Sequence, residues 1–303
     1  MKAKFITIII LLAIITLGIT SCEKEIQIEV KSGTEQLVVE ASINQFSPIL
    51  NYVFITKSLD YFKPDLTLGG VDQALVTVTA GRIDGTDTIY DGTQTRFFNI
   101  YDIPGADTLY TGIGIDSITR NLRGIYVNPF FTGTPGVPYK LEITLSSGKQ
   151  VTGTTVIPQP VPIDTVKYEL RGEPDDSGRV DAFVSFFWND PQERNNYRVF
   201  LKSQFTSLLL GWGAADRTYT FDDEFANGIY RSFNMFRPFK QRDTLNIFLT
   251  TVGRKEFFFW QSYERANNGA NPFSTPVVLK SNINGAIGTF TGYGVAFRQV
   301  ILN

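Results

Sequence analysis

Read for its apolar and polar positions, the chain changes character near its start. Phe5 to Leu17 is almost unbroken apolar sequence, interrupted only by Thr7 and Thr16. That run is too short to cross a bilayer, which takes about 20 residues. Behind Lys2 and Lys4 it has the form of the apolar core of a secretory signal. From Leu37 onward, short runs of strand character take over. Leu37-Val38-Val39-Glu40-Ala41-Ser42-Ile43 predicts a first strand, with Tyr52 to Thr56 and Ala74 to Thr79 after it. From Lys140 to Leu145 every second residue is apolar, so one face is buried and one is wet. Ser146-Ser147-Gly148-Lys149 turns that strand into Gln150 to Ile157, which predicts a hairpin.

Strands resume further on. Val180, Ala182, Val184, Phe186 and Trp188 alternate with Asp181, Phe183, Ser185 and Phe187, and Asn189-Asp190-Pro191 ends the run. Aromatics on both faces predict a strand that is central or lies under a covering element. Tyr197 to Phe205 and Thr244 to Val252 are the next strands, and Thr289 to Leu302 is the last. One helix is predicted over Arg254 to Asn267. Glu256 sits near its positive end, and Phe259, Tyr263 and Ala266 fall at i, i+4 and i+7. Asn267-Asn268-Gly269 stops it. The aromatic stripe reads as packing of the helix on a sheet rather than as a ligand platform.

Pro158-Gln159-Pro160-Val161-Pro162 is the clearest break, because alternating prolines cannot donate ladder hydrogen bonds and favour a stiff, extended segment. The expected architecture is mainly β: two β-sandwich domains of immunoglobulin or fibronectin type, with one packed helix in the second. The expected boundaries are a leader over 1–21, a tether over 22–35, a domain over 36–157, a linker over 158–162 and a domain over 163–303. The alternative is a proline-rich crossing inside one larger β domain.

Ile19-Thr20-Ser21-Cys22 closes the leader with a branched residue, two small residues and the chain's single cysteine. This is the pattern of a lipobox, in which the cysteine thiol takes a diacylglyceryl group and a peptidase cuts before it. Multiple acyl chains, palmitate among them, hold far more firmly than one, at about 0.8 kcal/mol per buried methylene. Lysines 2 and 4 leave with the leader, so 26 of the 28 basic residues face 30 acidic ones, a net charge of −4. That balance offers no basic excess for nucleic acid. Histidine is absent from the chain. Serine–histidine–acid triads, cysteine–histidine pairs and histidine-ligated zinc are thereby excluded.

Candidate chemistry is sparse. Asp222-Asp223-Glu224, with Asp216 and Asn227, offers oxygens for calcium but lacks the spacing and glycine of an EF-hand loop, and reads as a solvated turn. Asp175-Asp176-Ser177-Gly178 reads as a turn. A carboxylate pair suits glycoside hydrolysis, but sequence does not show which acids meet, and no catalytic, metal or cofactor residue is expected. Leu208 to Phe239 is rich in aromatics among Gly, Asp, Arg and Asn, with poor periodicity. Read as a recognition loop, it offers Trp212, Tyr219, Phe221, Tyr230 and Arg231 as contacts for a partner or ligand. Read as packing, the same rings tuck into a sandwich.

Several segments together carry a resemblance. They are Cys22-Glu23-Lys24-Glu25, the Leu37 to Ala41 strand with Thr56-Lys57-Ser58-Leu59-Asp60-Tyr61-Phe62, Asn271-Pro272-Phe273-Ser274-Thr275-Pro276, and Ser281 to Phe290. The chain resembles the Bacteroidota lipoproteins grouped as domain of unknown function 4249. Members usually carry two glycines after the Asn-Ile pair; here the second is Ala286. Glu23, Lys24 and Glu25 resemble the lysine-plus-acid signal that sends some such lipoproteins to the outer face of the outer membrane. The resemblance implies a surface or periplasmic lipoprotein of β-sandwich type, often encoded beside a TonB-dependent receptor, with no catalytic residues. The expected function is therefore a non-catalytic binding or accessory component of TonB-dependent nutrient uptake, lipid-anchored in the outer membrane and exposed at the cell surface. The alternative is a structural or adhesive surface lipoprotein without a transport role.

Overall fold

The computed structural model describes residues 35–58, 69–104, 123–203, 212, 215–225, 227–268 and 277–303. The expected leader, Cys22, and Glu23 to Glu25 lie outside the described residues, as do 59–62 and 271–276 of the family-like segments. Among the described residues, no helix is long and apolar enough to cross a membrane.

The first half lays down β1 (Leu37–Asn44), β2 (Tyr52–Lys57), β3 (Ala74–Ala80), β4 (Arg82–Asp84), β5 (Asp87–Ile89), β6 (Gln94–Asn99), β7 (Ile125–Val127), β8 (Pro138–Leu145) and β9 (Gln150–Val156). After the prolines come β10 (Thr165–Arg171), β11 (Asp181–Asn189), β12 (Asn196–Lys202), β13 (Arg217–Asp222), β14 (Tyr230–Asn234), β15 (Phe239–Lys240) and β16 (Thr244–Val252). Helix α1 (Arg254–Asn268), β17 (Ile283–Asn284) and β18 (Ile287–Ile301) complete the described chain. The fold is mainly β with one described α-helix, as the apolar pattern predicts.

One long sheet runs in the order β13-β12-β16-β18-β1-β2-β7-β6-β3-β8-β9-β17, while β10, β11 and β14 form a second sheet with β15 paired to β11. β11 is central in that sheet. Its Ala182, Val184, Phe186 and Trp188 are buried, and on the other face Phe187 and Phe183 lie under the cationic side chains of Lys167 and Arg171. The hairpin predicted at Ser146 to Lys149 joins β8 to β9, with Gly148 at φ 82°, where a residue without Cβ is favoured.

Three apolar cores follow from this topology. The first gathers Val39, Ile55, Val78, Leu141 and Ile143 with Phe290. The second lies between the two sheets and joins Val184, Phe186 and Trp188 to Tyr197, Val199 and Leu249. The third, with Phe200, Trp212, Phe248 and Phe257, occupies the opposite face of the long sheet under α1. β12 and β16 are therefore buried on both faces.

The proline segment separates the first two cores without separating the sheets. β18 pairs parallel with β1 from Ile287 to Tyr293 and antiparallel with β16 from Gly294 to Ile301, so one strand serves both halves. β17 pairs with β9, which places residues of the expected second domain in the first core. Nor is the segment an exposed hinge: Ile157, Val161 and Ile163 are buried. Thr251 Oγ1 donates to the Gln159 carbonyl at 2.8 Å. A Cβ on Gly294 would stand 2.3 Å from the Pro158 carbonyl oxygen, so glycine is required where this segment crosses β18.

Candidate functional site

Strand alternation builds one face of the site. Tyr197, Val199 and Leu201 of β12 enter the second core, which leaves Arg198 and Phe200 on the opposite face of the sheet. Glu40 of β1 and Tyr293 of β18 contribute to the same region. Helix α1 lies over this face, and the sequence holds it there at several points. Glu256 is buried, and its Oε1 accepts from Thr155 Oγ1 at 2.9 Å and Asn282 Nδ2 at 3.1 Å. Burial raises the Glu256 pKa above the usual carboxylate value. One turn on, the Trp260 indole donates to Thr291 Oγ1 at 3.1 Å. The buried positions of α1 are Glu256, Phe257, Phe259, Trp260 and Ser262, whereas Tyr263 and Ala266 are exposed. Of the expected stripe Phe259–Tyr263–Ala266, only Phe259 lies on the face that packs.

Between helix and sheet lies a cleft of about 630 Å³. Under the helix it is lined by Trp212, Trp260 and Tyr263; round the edge strand β13 it reaches Tyr219 and Phe221, which face the second core, and Phe233 of the second sheet. Arg198, buried at 5% exposure, lines it. Its guanidinium lies 3.5 Å from the centre of the Trp260 ring and 4.8 Å from that of Phe200. Its Nη1 donates to Tyr293 Oη at 3.0 Å, and its Nε to Thr220 Oγ1 at 3.3 Å. Two carboxylates share the cleft. Glu264 accepts from Thr220 Oγ1 at 2.5 Å, and Glu40 accepts from Tyr52 Oη at 2.5 Å. Burial raises the Glu264 pKa, and Thr220 and Arg198 oppose the rise. Burial also pushes Tyr293 up to about 12, so its hydroxyl is a neutral partner for Arg198 across the ordinary pH range.

Three of the five residues expected to form a contact surface meet here: Trp212, Tyr219 and Phe221. They do so as walls. Trp212 is 2% exposed, donates through Nε1 to Ser42 Oγ at 2.8 Å and packs 4.5 Å from Phe200. It is a core residue rather than an exposed anchor, since its indole fills the third core. Tyr230 and Arg231 lie elsewhere. Tyr230 is exposed and stacks on Phe187, while the Arg231 guanidinium sits over the rings of Trp188 and Phe221. The stretch expected as an aperiodic loop contains β13, β14 and β15, because Tyr219 and Phe221 pack on Phe233 across the sandwich. Residues 208–211, 213, 214 and 226 of it lie outside the described residues.

The acidic cluster expected as a solvated turn is partly structural. Asp223 is buried and accepts from the Asn195 backbone N–H at 2.6 Å, and Asp222 pairs with Arg254 at 3.0 Å. Among the described residues, no group of three potential metal ligands converges. Sequence reasoning missed Arg198, Glu40, Trp260 and Glu264. One signal was present: an arginine inside the otherwise apolar run Tyr197 to Leu201 has no place in a strand buried on both faces unless partners await it.

Fold and cleft together define a mainly β protein whose single described α-helix roofs an aromatic, charge-bearing cleft on a large sheet. The chain belongs to the family described as "Domain of unknown function (DUF4249)", whose model matches residues 23–299. None of the curated proteins matches it. Among solved structures it is similar to "Crystal structure of a DUF3823 family protein from Bacteroides uniformis ATCC 8492 at 1.90 A resolution". The identity is 11%, over 89% of this chain and 100% of that one, and the TM-score of 0.23 is too low to carry an argument.

Proposed function

We propose that this protein is a lipid-anchored, non-catalytic binding component of the outer membrane that captures a ligand on behalf of a TonB-dependent receptor. The observation that carries the binding role is the cleft. Its volume of about 630 Å³ falls within the roughly 300–1,000 Å³ of small-molecule sites, and mostly aromatic walls with few polar groups are the usual composition of such sites. Anchoring rests on the apolar run ending at Ile19-Thr20-Ser21-Cys22, and exposure at the cell surface on Glu23-Lys24-Glu25. The receptor partnership rests on family resemblance.

The test has two arms. Metabolic labelling with an alkyne palmitate should tag the wild type and not Cys22→Ala; equal label in both removes the anchor. Affinity purification from detergent-solubilised outer membranes should bring down a receptor barrel. A structural or adhesive role takes over if no barrel follows. The rings of Phe225 and Phe236, 97% and 85% exposed, are the observation that favours that second reading.

A further inference from the structure

The ionic groups of the cleft bear on what it takes. Arg198 offers five N–H donors in a planar fork. Tyr293 and Thr220 take Nη1 and Nε, and Nη2 carries no hydrogen bond among the described residues. Trp260 covers one face of the fork and holds it in place. The Thr220 hydroxyl bridges Arg198 and Glu264, at 3.3 Å and 2.5 Å, so the two charges lie within about 6 Å of each other, close enough to feel each other strongly. They form no ion pair within 4.0 Å: the described ion pairs of the chain lie elsewhere. Glu40 lies further off: it pairs with Thr289 of β18, whereas Arg198 pairs through Thr250 of β16 with Val295, so the two are set apart along the strands as well as across them. Like Glu264, Glu40 is held through one oxygen by one hydroxyl.

A cation and two carboxylates, kept apart and walled by rings, match a ligand that carries both charges on an apolar body. We infer that the cleft binds a small zwitterion, an apolar amino acid or short peptide with free ends, whose carboxylate meets Arg198 and whose ammonium meets Glu264 or Glu40. A purely anionic ligand would face two carboxylates against one guanidinium. A purely cationic one would leave Nη2 of Arg198 unused and set a second positive charge beside the buried guanidinium, which is unfavourable. Apolar side chains would lie against Trp260 and Tyr263. This assignment rests on the binding role proposed above and specifies the ligand.

Trp212 and Trp260 both line the cleft, so intrinsic fluorescence reports its occupancy. The probes are leucyl-leucine, its N-acetyl form and its C-terminal amide, titrated into the full-length protein. The free dipeptide is expected to saturate the signal at a concentration at least tenfold below either blocked form. Glu264→Gln and Glu40→Gln, checked for native circular dichroism, should together abolish the discrimination against the N-acetyl form. Equal binding by a blocked form, or no saturable response to the free dipeptide, overturns the zwitterion. Receptor copurification is scored separately on the acylated protein. A failed titration with an intact receptor complex therefore removes the ligand class and leaves the accessory role; a lost complex with a sound titration does the reverse.

Discussion

Consider Trp212→Ala. The indole is 2% exposed and touches Phe200, Tyr293 and Phe248 at ring distances of 4.5, 5.0 and 5.6 Å. A tryptophan buries up to about 250 Å², worth roughly 6 kcal/mol at ~25 cal/mol per Å². Alanine keeps a little of that area, and neighbours relax into part of the space, which brings the expected loss to about 3–5 kcal/mol. The hydrogen bond to Ser42 belongs to the same side chain, and phenylalanine separates the two contributions. Trp212→Phe keeps a ring and loses the N–H, so it should cost only about 1–2 kcal/mol. For a domain of this size the alanine variant should melt roughly 10 °C lower. Urea unfolding followed by far-ultraviolet circular dichroism measures both variants. If Trp212→Ala unfolds within about 0.5 kcal/mol of wild type, the range of ordinary surface substitutions, the third core does not rest on this indole.

Other perturbations test separate parts of the molecule. Burial holds the Glu256 carboxyl above its unfolded pKa, so the native state binds the extra proton and its stability falls as pH rises from about 4.5. Glu256→Gln, which keeps an oxygen for Thr155 and Asn282, should remove that fall; urea midpoints of both proteins at pH 4 and 7 that shift in parallel would refute it. Lys202 is depressed to about 8 by burial, against the opposing charge of Asp216. The native state therefore sheds its proton first, and stability should rise between about pH 8 and 10.5, by up to roughly 3 kcal/mol. Comparison of wild type with Lys202→Met isolates that slope in chemical melts, and identical slopes would contradict it. Gly294→Ala sets a methyl against the Pro158 carbonyl and Thr251 Oγ1 and should cost about 1–3 kcal/mol, read by a thermal melt. Phe225→Ser, at 97% exposure, should change stability by no more than about 0.5 kcal/mol; a larger drop would mean the ring is packed.

Much of the strand content is legible because burial on one face imposes period two over a few residues. β8 and β9 show this directly; β16, buried on both faces, is legible instead as a mostly apolar run, and its predicted bounds Thr244–Val252 are the observed ones. Short strands that depend on a partner are not legible. β7 is three residues long and exists because β2 and β6 flank it. β14 reads as loop because Tyr230, Ser232 and Asn234 alternate with Arg231 and Phe233, a pattern that makes sense only opposite β11. The site is legible in its aromatic walls and not in its charges. Tyr219 and Phe221 stand in a visibly aromatic stretch, but Glu40, Arg198 and Glu264 are far apart in sequence and line one cleft only because β1 and β12 belong to one sheet and α1 lies over it.

The prolines show where local rules stop. Pro158 to Pro162 behaves as such a segment should: extended, stiff and without ladder bonds of its own. Two apolar cores do begin and end around it. What local rules cannot supply is the return of the chain. β18 comes back after more than a hundred residues to lie parallel to β1, and a parallel neighbour cannot be reached by a tight turn. Its fifteen residues then run past the crossing point into the second sandwich. Gly292 and Gly294 mark that passage, where Val156 and Pro158 leave no room for a side chain. The same strand carries Tyr293 between these glycines, and its hydroxyl is what receives Arg198 at the floor of the cleft. Continuity of the sheet and construction of the cleft are thus one structural event, and disturbing the glycines should displace Arg198 as well as lower stability.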